Sequence, residues 1–260
     1  MTEQQFHRGG LLIVGLGPGG PEWLTREAAD ALAQASDLVG YGPYLDRVER
    51  RDGQVRHTSD NRVEIERARH ALGLAARGQI VALVSGGDPG IFAMAAAVFE
   101  ALESGEPAWR ALDIRVLPGV SAMQAAAARL GAPLGHDFCT ISLSDNLKPW
   151  SIIAQRLRAA AEADFVIALY NPASRARPSQ IHEAFALLRE LKGAATPVAF
   201  AKSIGRPTER IVLSTLASAD PSMADMSTLV LIGSSETRLL PRSAGVRPWL
   251  YTPRLYGGGR

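Results

Sequence analysis

A single cysteine, Cys139, occurs in 260 residues. That excludes a disulfide within the chain, a cysteine-rich zinc site and an iron–sulfur cluster held by this chain alone. Lysine is almost as scarce: only Lys148, Lys192 and Lys202 stand among 28 basic residues, and arginine supplies the rest. A GC-rich genome accounts for that bias. Arginine also suits carboxylate-rich ligands, because the planar guanidinium can grip a carboxylate with two hydrogen bonds. Charge of one sign is nearly absent, since 26 acidic residues leave a net +2. Without a clustered basic excess, a dedicated nucleic-acid module is not expected. The five histidines (His7, His57, His70, His136, His182) are scattered and show no metal-ligand spacing. No apolar run reaches the ~20 residues that a membrane span needs. The opening MTEQQFHRGG lacks the apolar stretch of a secretory signal. These absences lead to the expectation of a soluble cytoplasmic protein with no membrane or nucleic-acid partner.

What is present is a globular composition, 47% hydrophobic and 21% charged, long enough for one large domain or two of roughly 100–150 residues. Short apolar runs alternate with amphipathic segments. Strands are expected at Leu11–Gly17, Asp37–Gly40, Gln79–Ser85 and Asp113–Leu117. Helices are expected at Thr25–Ala35 with Thr25 as N-cap, Val63–Arg77, Ile91–Ser104 and Ser121–Leu130. Such alternation marks a parallel sheet covered on both faces. The stretch Gly131–His136 reads as a linker. Beyond it come strands at Phe138–Leu143 and Asp164–Tyr170 and helices at Trp150–Ala163 and Pro178–Leu191. Three closely spaced strands follow at Pro197–Ser203, Arg210–Ser214 and Thr228–Gly233, which suggests antiparallel or mixed pairing. The expected fold is therefore two α/β domains, residues 1–134 with a mainly parallel sheet and 135–245 with a mixed one. Residues 246–260 are expected to form a tail, loose from Pro253 onward.

Four turns close apolar strands. The first, Gly15-Leu16-Gly17-Pro18-Gly19-Gly20, fits the dinucleotide pattern G-x-G-x-x-G. Pro18 and Pro21 each remove a main-chain N–H where a pyrophosphate would be cradled, and the second strand ends in Gly-Tyr-Gly-Pro with no ribose-binding acid. A tight turn without a ligand is an equally good reading. The second turn, Ser85-Gly86-Gly87-Asp88-Pro89-Gly90, places glycines and a carboxylate where parallel sheets bind ligands; Asp88 could equally be a helix cap. The third, Leu117-Pro118-Gly119-Val120-Ser121-Ala122, and the fourth, Leu169-Tyr170-Asn171-Pro172, repeat the strand–turn theme. Parallel strands would bring such turns together along one cleft.

In order and spacing, LLIVGLGPGGPEWLT, VALVSGGDPGIFAMA, VLPGVSAMQAAAARLG and ALYNPASR resemble the tetrapyrrole methylases, the class III S-adenosylmethionine-dependent methyltransferases of corrin and sirohaem biosynthesis. The resemblance runs from about Leu11 to about Pro241. Gly40–Leu45, Ser142–Trp150, Leu169–Arg175 and Ile204–Glu209 are most similar to the branch that methylates precorrin-3B at C17 and contracts the ring, yielding precorrin-4. The resemblance implies an active site in the cleft between two α/β domains, a corrinoid-precursor substrate, S-adenosyl-L-methionine as cofactor and a homodimer; the scattered histidines and single cysteine give no metal site. It also implies cofactor contacts at Pro18, Gly86, Gly87, Asp88, Ile91, Ser121, Ala122, Tyr170, Asn171, Ser203 and Thr228.

Ring contraction requires removal of a hydroxyl proton, and the base expected for it is Asp145, with Ser144 and Lys148 as polar partners. A helix-capping or solvated Asp145 is the plainer alternative. Arg47, Arg175 and Arg206 are candidates to pair substrate carboxylates, and Tyr41 and Tyr44 to pack on the macrocycle. Each could instead be solvated surface or domain core. A cobalt-factor III methyltransferase, an NAD-dependent oxidoreductase and a non-catalytic tetrapyrrole carrier are the competing readings.

Overall fold

The structure, a computed structural model, describes residues 9–257; most of the polar opening segment and the last three residues of the expected tail lie outside them. The chain divides into two compact units, Met1–Ser121 and Ala122–Arg260.

The first unit contains β1 (Gly10–Gly15), α1 (Arg26–Gln34), β2 (Asp37–Tyr41), the one-turn α2 (Gly42–Leu45), β3 (Val55–Ser59), α3 (Glu64–Ala76), β4 (Ile80–Ser85), α4 (Met94–Ser104) and β5 (Asp113–Leu117). The strands form one sheet in the order β3-β2-β4-β1-β5, and every pair is parallel. β1 lies inside the sheet with all its residues buried, so it reads as a continuous apolar run. Its side chains alternate between two cores. Leu11 and Ile13 pack with Leu72, Ala75 and Val98 of α3 and α4, whereas Leu12 and Val14 pack with Ala28, Ala31 and Leu32 of α1. Thr25 caps α1 as expected, its hydroxyl oxygen accepting the Ala28 N–H at 3.1 Å. The fourth helix starts at Met94 and not at Ile91, because Phe92 just before it has φ +52°, outside the helical range.

The second unit contains α5 (Ala122–Leu130), β6 (Gly131–Ala132), β7 (Phe138–Ser142), α6 (Trp150–Glu162), β8 (Val166–Tyr170), α7 (Gln180–Leu191), β9 (Pro197–Lys202), β10 (Arg210–Thr215), β11 (Thr228–Ile232), β12 (Arg238–Leu240) and β13 (Trp249–Tyr251). The main sheet runs β10-β9-β11-β8-β7. It is mixed: β7 and β8 are parallel and the other pairs antiparallel. One core joins Ile167, Leu169, Phe200 and Val230 to Ile153 and Leu157 of α6 and Phe185 and Leu188 of α7. Phe185 and Phe200 stack with ring centroids 6.0 Å apart.

Two features differ from the sequence reading. Helix α5 goes with the second unit, where it lies against β11 and β13, so the division falls before residue 134. Part of the expected tail is also structured, since β13 pairs with both β12 and β6 in a small third sheet.

Candidate active site

In the first unit the turns gather at the carboxyl ends of adjacent strands, where open parallel sheets bind ligands. Gly17 and Gly87 exchange two main-chain hydrogen bonds, at 3.1 and 2.9 Å. Both have positive φ, +66° and +67°, which suits glycine. A Cβ on Gly119 would lie 2.2 Å from the Gly87 carbonyl oxygen, so the turns after β1, β4 and β5 touch backbone to backbone. The half-buried Asp88 ties two of them: Oδ1 accepts the Gly90 N–H at 2.8 Å and Oδ2 the Gly119 N–H at 3.1 Å.

The first glycine turn has the wrong polarity for a phosphate. Arg47 Nη2 donates to the carbonyls of Leu16, Gly17 and Gly19 at 2.9, 2.7 and 2.6 Å. The N–H groups of Leu16 and Gly17 are already given to Ser85 and Gly87, and Pro18 has none. This turn converges its carbonyls on a cation, the reverse of a pyrophosphate cradle. Nη2 of Arg47 therefore organises the turn, which replaces the role in substrate binding considered for this residue.

Tyr44 lies against Gly86; a Cβ there would meet its ring at 2.8 Å. Tyr41 meets Tyr44 edge to face, with centroids 5.5 Å apart. Pro18, Tyr41, Tyr44, Gly86, Gly87 and Asp88 are thus neighbours at one end of this sheet, and Ile91 follows in the same segment as Asp88. Ser121, almost wholly buried, closes the turn after β5.

The second unit gathers its own set. Because β7, β8 and β9 run in one direction and β11 in the other, Ser142, Tyr170, Lys202 and Thr228 share one end of the sheet. Tyr170 Oη accepts the Met123 N–H at 3.0 Å, in the first turn of α5, next to Ala122. Asn171 has φ +50° and donates Nδ2–H to Ser142 Oγ at 3.0 Å. Ser203 has φ +51° and donates its N–H to the Ser227 carbonyl at 2.9 Å. The Thr228 hydroxyl donates to Asp225, whose other carboxylate oxygen meets Lys202 at 2.6 Å. Burial pulls the Asp225 carboxyl upward, but hydrogen bonds from Lys202, Ser227 and Thr228 outweigh it and hold the group well below the usual carboxylate range.

Asp145 is anchored by two residues that sequence patterns do not mark. Gln180 Nε2 donates to its Oδ2 at 2.8 Å, and the buried Arg177 places Nε 4.0 Å from Oδ1. Arg177 also donates to the carbonyls of Leu143 and Asn171 at 3.4 and 3.5 Å, linking the segments after β7 and β8. Their only sequence signal is an arginine and a glutamine at the entry to a helix. Ser144 and Lys148 lie in the same loop, Lys148 Nζ donating to the Ser144 carbonyl at 3.5 Å. Burial, then Arg156, pushes the Lys148 ammonium down. Arg175 and Arg206 are exposed on separate loops of this unit. Cys139 is half-buried on β7, and burial pushes its thiol up.

Some of the strained backbone falls at the same places. Of the five described non-glycine residues in the left-handed region, Asn171 and Ser203 directly follow β8 and β9, Phe92 lies in the segment between β4 and α4, and Arg62 and Asp164 lie elsewhere. Phe92 is also half exposed, at 50%. Such conformations concentrate at ligand-binding segments. Among the described residues no cluster of His, Cys, Asp and Glu could hold a metal, and no helix is long and apolar enough to cross a membrane.

The family model for Tetrapyrrole (Corrin/Porphyrin) Methylases matches residues 10–220. The chain is a tetrapyrrole methylase. This methylase is 56% identical over 250 residues to the precorrin-3B C(17)-methyltransferase of Sinorhizobium sp, covering 96% of this chain and 98% of the relative. It is 46% identical to a probable cobalt-factor III C(17)-methyltransferase of Salmonella typhimurium, covering 87% of this chain and 93% of that one. Among solved structures, the methyltransferase CobJ superposes with a TM-score of 0.89 at 51% identity, over 94% of this methylase and all of that chain.

Proposed function

We propose that this methylase transfers a methyl group from S-adenosylmethionine to C17 of precorrin-3B and contracts the macrocycle to precorrin-4. The observation that carries the reading is the 56% identity, across nearly the full length of both chains, to a protein named for C17 methylation of that substrate.

The residues at hand fit the donor. The three turns of the first unit contain one carboxylate, Asp88, and no basic side chain, and the carbonyls of the first turn point inward to Arg47. With those carbonyls already taken up by Arg47, the carboxylate these turns offer a cationic sulfonium is Asp88. Pro18, Gly86, Gly87, Asp88, Ile91, Ser121, Ala122, Tyr170, Asn171, Ser203 and Thr228 are the residues assigned to hold it. Once bound, S-adenosylmethionine supplies the methyl group on a leaving group already in place. The protein then needs no nucleophile of its own, and alignment of the two reactants contributes up to roughly 7–11 kcal/mol.

Ring contraction makes a different demand. Asp145 takes the proton from the hydroxyl beside the migrating carbon, a role worth on the order of 10²–10⁴ in rate. Gln180 fixes its carboxylate with a hydrogen bond, Arg177 lies at ion-pair distance, and Ser144 and Lys148 line the same loop. Tyr41 and Tyr44 pack on the pigment, and Arg175 and Arg206 pair its acidic arms. The working form in this reading is a cytoplasmic homodimer.

The likeness to the Salmonella protein supports a second reading, in which the substrate carries cobalt. Incubation with labelled methyl donor and either metal-free precorrin-3B or cobalt-factor III, followed by mass spectrometry, separates the two. The proposal expects label in a ring-contracted product from the metal-free pigment. Turnover of the cobalt pigment alone favours the second reading, and binding without label transfer from either points to a carrier.

A further inference from the structure

Arg67 on α3 is a buried cation, only 5% exposed, yet among the described residues no aspartate or glutamate forms an ion pair with it. A buried charge left without a counter-ion is costly. Its hydrogen bonds are neutral: Nε donates to Ser59 Oγ at 2.7 Å, Nη2 to the Asp60 carbonyl, and Nη1 to Met94 Sδ at 3.3 Å. A thioether is a weak acceptor, and a guanidinium carries five N–H groups, so the fork of Nη1 and Nη2 is under-used.

The carboxylate whose charge acts on Arg67 is Glu64, whose Oε1 accepts the Arg62 N–H at 3.2 Å. Burial lowers the proton affinity of Arg67, with Glu64, Tyr44 and Tyr41 pulling the other way. An arginine nevertheless stays charged. Ser59 and Tyr41 end β3 and β2 and pair across the sheet, Met94 opens α4 after β4, and Tyr44 lies on Gly86 of the second glycine turn. Arg67 therefore sits at the carboxyl end of the parallel sheet, beside the tyrosine pair.

We propose that Arg67 is a carboxylate-binding residue, its guanidinium fork receiving an acetate or propionate arm of the tetrapyrrole substrate in place of the weak Met94 contact. This rests on the reading of the chain as a methylase of an acidic corrinoid precursor. It gives the buried cation its counter-ion and a reason to lie next to Tyr41 and Tyr44.

The test is titration of precorrin-3B against the wild type, Arg67→Met and Arg67→Lys, followed by pigment absorbance, with S-adenosylhomocysteine calorimetry and thermal melts in parallel. The expected result is a loss of pigment affinity of roughly tenfold or more in Arg67→Met, partly restored in Arg67→Lys. S-adenosylhomocysteine affinity stays unchanged, and the melting temperature is unchanged or higher because an uncompensated buried charge is gone. Pigment affinity within twofold of wild type in folded Arg67→Met overturns the proposal and assigns Arg67 to holding the β3–α3 turn. Failure of the wild type itself to bind the pigment overturns the substrate reading and this inference with it, so the two failures are told apart.

Discussion

The carboxylate of Asp88 accepts the main-chain N–H of Gly119 at 3.1 Å, across 31 positions of sequence. With its other oxygen on Gly90, it fixes the turns after β4 and β5 in one arrangement. Asp88→Ala removes both acceptors and leaves the Gly119 N–H without its partner, at a cost of about 1–3 kcal/mol. Affinity for S-adenosylhomocysteine is expected to fall roughly tenfold, since about 1.4 kcal/mol corresponds to that factor. Asp88→Asn, which keeps one carbonyl oxygen, should lie between the two. Denaturant unfolding and calorimetry check both; a variant as stable and as tight as wild type removes Asp88 from the turn.

Gly119 tests the backbone contact itself. A Cβ at this position would meet the Gly87 carbonyl at 2.2 Å and the Gly15 backbone at 3.0 Å, with no flexible side chain to give way. Gly119→Ala should cost about 1–3 kcal/mol through overpacking and spread the turns apart. Gly53→Ala is the control. Its φ of +81° is strained for alanine, but nothing lies within 4 Å of the added Cβ. It should lose only about 1–2 kcal/mol and leave donor binding intact. Equal losses of binding in the two variants would show that close packing of the turns is irrelevant.

How much of this is legible in the sequence depends on whether the signal is local. Leu11–Val14 announces a two-sided buried strand because every residue is apolar, and Thr25 announces a cap because its role is completed three residues on. β3, Val-Arg-His-Thr-Ser, gives no such signal: it is a half-exposed edge strand whose polar side chains bond to other segments. β13 hides in the tail because its pairing partners include β6, more than a hundred residues earlier. The candidate turns are visible through glycine and proline, which are demanded by backbone geometry at the spot. Arg67, Arg177 and Gln180 stay hidden for the opposite reason, and Arg47 is visible only in the wrong role. Their partners are a carbonyl, a thioether or a carboxylate brought close by the fold, and an arginine in a sequence rich in arginine carries no mark of burial.

Asp145 separates the two halves of the reaction. Asp145→Asn keeps the shape and can still meet Gln180, but it cannot take a proton at neutral pH. S-adenosylhomocysteine binding should be unchanged while formation of contracted product slows by about 10²–10⁴. Gln180→Leu, which removes only the 2.8 Å anchor, should lower the same step by a smaller factor and leave donor affinity alone. Product analysis by mass spectrometry distinguishes contraction from simple methylation. Contraction at the normal rate in Asp145→Asn would move the base elsewhere.

Acid stability reports on a different carboxylate. Asp164 meets Lys192, almost fully buried, at 3.0 Å and accepts hydrogen bonds from the Ser235 N–H and hydroxyl. Burial raises its carboxyl, but the Ser235 hydroxyl, Lys192 and the Ser235 amide together pull it below its ordinary value. A carboxylate held low in the folded state stabilises the fold fully above its unfolded value of about 3.9. That contribution is lost as pH falls from there through the lower folded value. Melting temperature against pH should therefore drop below about pH 4 in the wild type, and less steeply in Asp164→Asn. At neutral pH the variant loses about 3–5 kcal/mol, because Lys192 is left buried without its partner. Asp164→Ala should be worse again, since φ at this position is +57° and asparagine tolerates that conformation better than alanine. An identical acid limb in wild type and Asp164→Asn would place the pH sensitivity on another pair.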